Sequence, residues 1–191
     1  MLLLKVGMLL TILISALVCV YFIKLDWRKY GFLYISAAVS ANVLCYLFTW
    51  SGLYSFPNNL LHGDLLMPIG LVSTAFPLVV LLGVRFSPEK WIWKIPFYWG
   101  IVHLGMVAEA VLMITPMFKF GPEWDLWDSY SLRWGYYLLF ELLGSKIIPP
   151  HLRKPISHQS FRYGGWAWIV FHIVVVVTIF LMGVYTGITL F

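Results

Sequence analysis

With 191 residues, 61% hydrophobic, 18% aromatic and only 11% charged, the chain carries far less charge than the roughly one quarter found in soluble domains. No water-soluble core absorbs that much apolar surface, so the bilayer is the expected solvent. The net charge of +5 follows from membrane topology and contact with anionic inner-leaflet lipid, and nucleic acid is not expected as a partner.

Six apolar stretches approach the ~20 residues a helical crossing needs: 6–23, 31–54, 66–84, 95–116, 134–148 and 165–188. Helices pair their own backbone groups in lipid. The expected fold is therefore all-α, a polytopic transmembrane helical bundle over 1–191 with six spans, or five if the short stretch 134–148 is interfacial or re-entrant.

The first stretch follows Lys5 in the manner of a secretory signal. No A-x-A site follows it, and Val18 stands where a lipobox ending at Cys19 wants a small residue, so it reads as a retained span. In the second, Ala37-x-x-x-Ala41 with Ser36 and Ser40 permits close helix approach. Cys19 and Cys45 lie in separate stretches, without C-x-x-C or metal-ligand spacing, which argues against thiol redox chemistry. Pro77 should kink the third span, with Ser73 and Thr74 available to satisfy the freed carbonyls. Ser87-Pro88-Glu89 then has the order of N-cap, N1 and early carboxylate that would start the fourth helix.

Gly121-Pro122-Glu123 announces another helix, and Trp124, Trp127, Ser131 and Trp134 recur from there at helical spacing. The expectation is an outer interfacial helix over 118–134, or one that feeds directly into the fifth span. Trp124, Asp125, Trp127 and Asp128 make its outer face a candidate site. Asp125-x-x-Asp128 has the spacing of the metal-binding aspartates of prenyl-diphosphate enzymes. Asn58-Asn59 and His62-Gly63-Asp64 supply no second such motif, so a solvated helix face is the simpler reading and neither metal nor cofactor is assigned. In 149–163, Pro149, Pro150 and Pro155 prevent helix continuation. This basic, His-containing stretch suits a cytoplasmic loop against headgroups, or a docking site for a partner. In the last span Gly183-x-x-x-Gly187 marks either a homodimer face or packing within one bundle.

Orientation follows from the cations. Lys24, Arg28 and Lys29, then Arg85, Lys90 and Lys94, then Lys146, Arg153, Lys154 and Arg162 place ten of the thirteen in alternate loops. The positive-inside rule makes those loops cytoplasmic and both termini external, in the cell membrane. Trp27, Tyr30, Trp50, Tyr54, Trp91, Trp93, Trp166 and Trp168 fall near span ends, where aromatic rings prefer the headgroup level.

Ionisable groups within spans are the main site candidates. Glu109 in the fourth and Glu141 in the fifth are costly in hydrocarbon and need interior partners. Counted from outer boundaries near Pro116 and Trp134, each lies about 10 Å deep, so antiparallel neighbours would bring the two carboxyls together, with one proton retained between them. His103 and His172 form another layer ~10–12 Å from the cytoplasmic side. His103 is about 9 Å along the helix from Glu109, and points about 120° away, which argues against one metal held by all four. A polar track joined by Asn42, Ser40 or Thr178 is the alternative, against buried interhelical hydrogen bonds with no further role. No G-x-S-x-G, H-E-x-x-H, P-loop or G-x-G-x-x-G pattern is present.

The intramembrane Glu109, the turn Trp124-x-x-Trp127-x-Ser129 and a proline-ended helix before a basic loop resemble a family of small uncharacterised polytopic membrane proteins of spore-forming Firmicutes. The resemblance covers roughly 85–155 and the span layout. It implies a bacterial membrane location and carries no activity or catalytic residue. The leading expectation is a bundle that binds or translocates a small solute, a cation or protons through buried carboxylates. An accessory subunit of a membrane complex and an enzyme acting on a lipid-soluble substrate are the alternatives.

Overall fold

The structure is a computed structural model that describes residues 2–57, 67–115 and 117–190. Asn58, Asn59, His62, Gly63, Asp64 and Pro116, which entered the sequence reading, lie outside the described residues.

Among the described residues six long α-helices run back and forth between two ends: α1 (Leu2–Leu25), α2 (Trp27–Trp50), α3 (Ile69–Phe86), α4 (Trp91–Ile114), α5 (Leu126–Ile147) and α6 (Trp166–Leu190). Asp26 alone separates α1 from α2. Its extended backbone breaks the helix, and its carboxylate accepts the Lys29 amide at 3.0 Å, capping the new one. Among the described residues five helices, α1 to α4 and α6, are long and apolar enough to cross a membrane. The chain is thus an all-α, multi-pass membrane bundle.

α5 differs in chemistry, not in length. Its 22 residues reach about 33 Å at the α-helical rise, enough to cross. They also carry Asp128, Arg133, Glu141 and Lys146, so apolar content alone does not qualify it as a span. α5 instead buries Tyr136, Tyr137, Phe140, Glu141 and Gly144 within the bundle. The stretch 118–134 is not a separate interfacial helix: it holds a short strand and a turn, and the helix entered at Leu126 continues unbroken through 134–148 as far as Ile147.

The buried core draws side chains from α1, α2, α3, α4 and α5. Tyr30, Leu33, Ala37 and Ala41 recur at three- and four-residue spacing along the buried face of α2. The small Ala37 lets the Tyr136 hydroxyl reach its carbonyl at 2.8 Å. Gly144 serves α5 in the same way, since a Cβ there would come within 2.3 Å of a Val84 methyl. Pro77 leaves the Ser73 carbonyl without its helical donor. The Tyr34 hydroxyl donates to that carbonyl at 3.0 Å, while Thr74 bonds back to Gly70.

Each end has its own closure. At one end β1 (Tyr54–Ser55) pairs antiparallel with β2 (Lys119–Phe120), tying the exit of α2 to the entry of α5. Gly121 passes so close that a Cβ would sit 2.0 Å from the Gly52 carbonyl oxygen. The opposite end holds the ten loop cations and three acids, Asp26, Glu89 and Glu141. There residues 148–165, with 3-10 turns at Pro150–Leu152 and His158–Phe161, fold back as a strap across the end of α3. Lys154 and Ile156 donate backbone hydrogen bonds to the Arg85 and Phe86 carbonyls at 2.8 and 2.9 Å.

Candidate functional site: two buried ion clusters

Glu109 and Glu141 do not meet. α5 begins at Leu126, so Glu141 is 15 positions inside it, about 22 Å from the strand end. Glu109 is five positions from the end of α4 at Ile114, close to that same strand end. Antiparallel packing therefore sends the carboxylates to opposite ends, and each acquires its own cation.

At the basic end Glu141 is fully buried. Its Oε1 accepts from the Lys94 ammonium and from Arg153 Nη2 at 2.9 Å, and its Oε2 from Ser87 at 3.0 Å and Tyr98 at 2.7 Å. Arg153 also donates to the Val84 carbonyl and to Ser87 Oγ, both at 2.8 Å, so the strap closes over the carboxylate. Ser87 therefore caps no helix with its side chain. α4 starts at Trp91 with Lys90 in the N-cap position and no side-chain cap. Arg85 adjoins this cluster without a carboxylate partner among the described residues. Its Nη1 donates to the Tyr30 hydroxyl at 3.1 Å and the Leu152 carbonyl at 2.8 Å, and its guanidinium lies 5.6–6.0 Å from the rings of Phe22, Phe86 and Tyr30.

At the other end Glu109 is 5% exposed. Oε1 accepts from Ser129 at 2.8 Å, and Oε2 from both Nε (3.1 Å) and Nη2 of Arg133. Gly105 makes room for the guanidinium, as a Cβ there would lie 2.8 Å from Nη1. Ser129 is a hub: the Trp124 indole donates to it at 2.9 Å and the Tyr54 hydroxyl lies at 3.2 Å. Burial pushes the Tyr54 phenol up to about 12, against a smaller opposing effect of the Ser129 hydrogen bond, so it remains a neutral donor or acceptor. A cavity of about 50 Å³ opens beside this cluster between α2, α3 and α5, with Arg133 and Ser129 on its polar side and Phe48, Phe76, Tyr136 and Cys45 among its apolar walls. By that measure it has space for a few waters or for one small group of a ligand.

The remaining candidates scatter. His103 Nε2 accepts from the Trp99 indole at 3.0 Å and its Nδ1 meets the Trp99 carbonyl at 2.9 Å. His172 is exposed on α6, with Nδ1 2.8 Å from the Trp168 carbonyl. The two histidines share no site. Asn42 donates to the Ala38 carbonyl and to Ser73 at 2.7 and 2.9 Å, and its buried Oδ1 has no partner among the described residues. Ser40 reaches Ala37 and Tyr136, and Thr178 bonds back to Val174, so neither links a histidine to a carboxylate. Asp125 and Asp128 form a capping box at the start of α5, which accounts for their three-residue spacing without a metal. Trp127 points outward beside them, 66% exposed. No group of three or more potential metal ligands occurs among the described residues. Cys19 and Cys45 are free thiols. Gly183 and Gly187 have no atom within 4 Å of where a Cβ would sit, so packing within the described bundle does not use them.

Sequence reasoning missed Arg133, Lys94 and Arg153 because the positive-inside count treats span-end cations as loop charges. One signal could have found them. Counted from the basic end, Lys94 is three positions into α4 and Glu141 six positions before the end of α5, which puts opposite charges near one level.

Comparison with protein-family models, with curated proteins and with solved structures gave no match. The site's chemistry therefore rests on its own geometry.

Proposed function

We propose that this is a solute-binding protein of the cell membrane, with the basic end cytoplasmic and both termini external. The solute is small, and one group of it enters the cavity between α2, α3 and α5, against Arg133 and Ser129. The observation that carries this reading is the cavity bordering the Glu109–Arg133 pair. A ligand pocket combines mostly apolar walls with a few convergent polar groups, and this one does so. The reading is narrower than solute, cation or proton traffic at large. A carboxylate that exchanges cations or protons needs a free face, whereas Glu141 is held by an ammonium and a guanidinium and Glu109 by a guanidinium.

The test is native mass spectrometry of protein extracted gently from its own membrane. Wild type should retain one defined small species. Ala41→Leu, which fills the cavity while leaving the ion pair intact, should lose it, and so should the charge-neutral pair Glu109→Gln with Arg133→Gln. Undiminished retention in Ala41→Leu would overturn the proposal.

A further inference from the structure

A second cavity lies outside both ion clusters, at the basic end where the α3–α4 turn faces the strap. It has a volume of about 220 Å³, and Glu89, Lys90, Trp93, Ile156, Ser157 and His158 are among its lining residues. Its walls are fixed by the two backbone hydrogen bonds that anchor Lys154 and Ile156 to the end of α3, and Trp93 is stacked on Phe161 of the strap, with ring centroids 5.9 Å apart.

The charges on this wall are unspent. Of the acids already described, Asp26 pairs with Lys29, Glu109 with Arg133, Glu141 with Lys94 and Arg153, and Asp125 with Asp128 in a capping box. Glu89 and Lys90, adjacent in sequence and both exposed, make no ion pair or side-chain hydrogen bond with any described residue, including each other. Ser157 Oγ accepts from the Gln159 amide at 3.3 Å, which leaves the hydroxyl proton free to donate. The exposed His158 ring supplies a further nitrogen. The cavity thus sets a carboxylate and an ammonium of the α3–α4 turn against hydroxyl and imidazole groups of the strap, beside an indole, a group that favours the headgroup level.

We propose that this cavity is a binding site for a zwitterionic lipid headgroup of the phosphoethanolamine type. Lys90, Ser157 and His158 receive the phosphate, Glu89 receives the primary ammonium, and the acyl chains run down past Trp93 along α4. An anionic lipid satisfies the phosphate side only. A trimethylated choline offers Glu89 no N–H donor and is disfavoured for that reason.

The test uses full-length protein in nanodiscs of equal parts phosphatidylethanolamine, phosphatidylglycerol and phosphatidylcholine, with lipids that survive stepwise delipidation counted by native mass spectrometry. Phosphatidylethanolamine should be retained in preference to the other two. Glu89→Gln should cut that preference about tenfold, the scale of one charge-assisted hydrogen bond, without lowering phosphatidylglycerol retention. Lys90→Gln should lower both, and Lys146→Gln, an exposed cation of the same end that does not line the cavity, should change neither. Equal retention in wild type and Glu89→Gln, or a preference for phosphatidylglycerol or phosphatidylcholine, would overturn the proposal. Soluble glycerophosphoethanolamine distinguishes the two sources of this headgroup. Failure to displace the lipid is the expected result, and saturable binding of the soluble compound without lipid preference would overturn the lipid assignment.

Discussion

The two buried carboxylates are chemically identical and differently housed. Glu141 has two cations, a hydroxyl and a phenol on two oxygens and is fully buried. Glu109 has one guanidinium and one hydroxyl, and its guanidinium looks onto empty space. A saturated carboxylate fixes its neighbours: α3, α4, α5 and the strap all contribute to Glu141, through Ser87 at the end of α3, Lys94 and Tyr98, Glu141 itself, and Arg153. A less crowded one beside a cavity leaves part of its partner for another molecule. The contrast separates a locked end of the bundle from the end where we propose that a solute binds.

The sharpest way to break this comparison is to remove each carboxylate in turn. Glu141→Ala leaves Lys94 and Arg153 buried without compensation and should cost about 3–5 kcal/mol, read as unfolding in mixed micelles or as loss of folded protein. Glu109→Gln should cost less, about 2 kcal/mol, because Arg133 keeps a side-chain amide to bond and borders a cavity that admits water. Equal losses would show that the two ends do the same job.

A smaller effect tests whether the locked region depends on close approach as well as charge. Gly144→Ala should destabilise by about 1–2 kcal/mol through collision with Val84, and Val84→Ala in the same chain should recover much of it. Purely additive losses in that double-mutant cycle would mean that the helices shift apart without strain.

The smallest effect belongs to the α1–α2 turn. The Lys29 amide, and after it the Lys29 ammonium, hold the Asp26 carboxyl below the usual carboxylate range. A depressed carboxylate contributes stability that is complete above its unfolded pKa, near 4, and is lost as pH falls through the folded value. Hydrogen exchange at the Lys29 amide should therefore be steady from neutral pH down to about 4, once corrected for intrinsic rates, and lose protection below that. Asp26→Asn should remove the step.

The bundle was legible because hydropathy and the alternation of cations are strong, long-range signals in lipid. α1, α2, α3, α4 and α6 fall where apolar runs of spanning length fall. The site was less legible, for a specific reason. Lys94, Arg133 and Arg153 lie within a few residues of span ends, where a linear count sees only headgroup contacts, and their burial depends on which helix faces them. Glu141 was misplaced because Trp134 was read as a boundary, although the capping box at Asp125 starts the helix nine residues earlier. Asp125-x-x-Asp128 shows the same ambiguity at short range, since one spacing serves a metal motif and a helix cap alike. Ser87 resembled a cap and proved to be a donor to a carboxylate 54 positions away, a partnership no local pattern contains.

The end of α3 carries a consequence in time. Its last three carbonyls, at Val84, Arg85 and Phe86, are capped in succession by Arg153, Lys154 and Ile156. During synthesis α3 reaches the membrane well before those residues leave the ribosome. Until they arrive, the three carbonyls depend on water, and Glu141 waits for the second of its cations. The basic end of the bundle therefore cannot be completed until the chain has been made past α5 as far as Ile156, and a chain halted before Arg153 would leave that end without its strap.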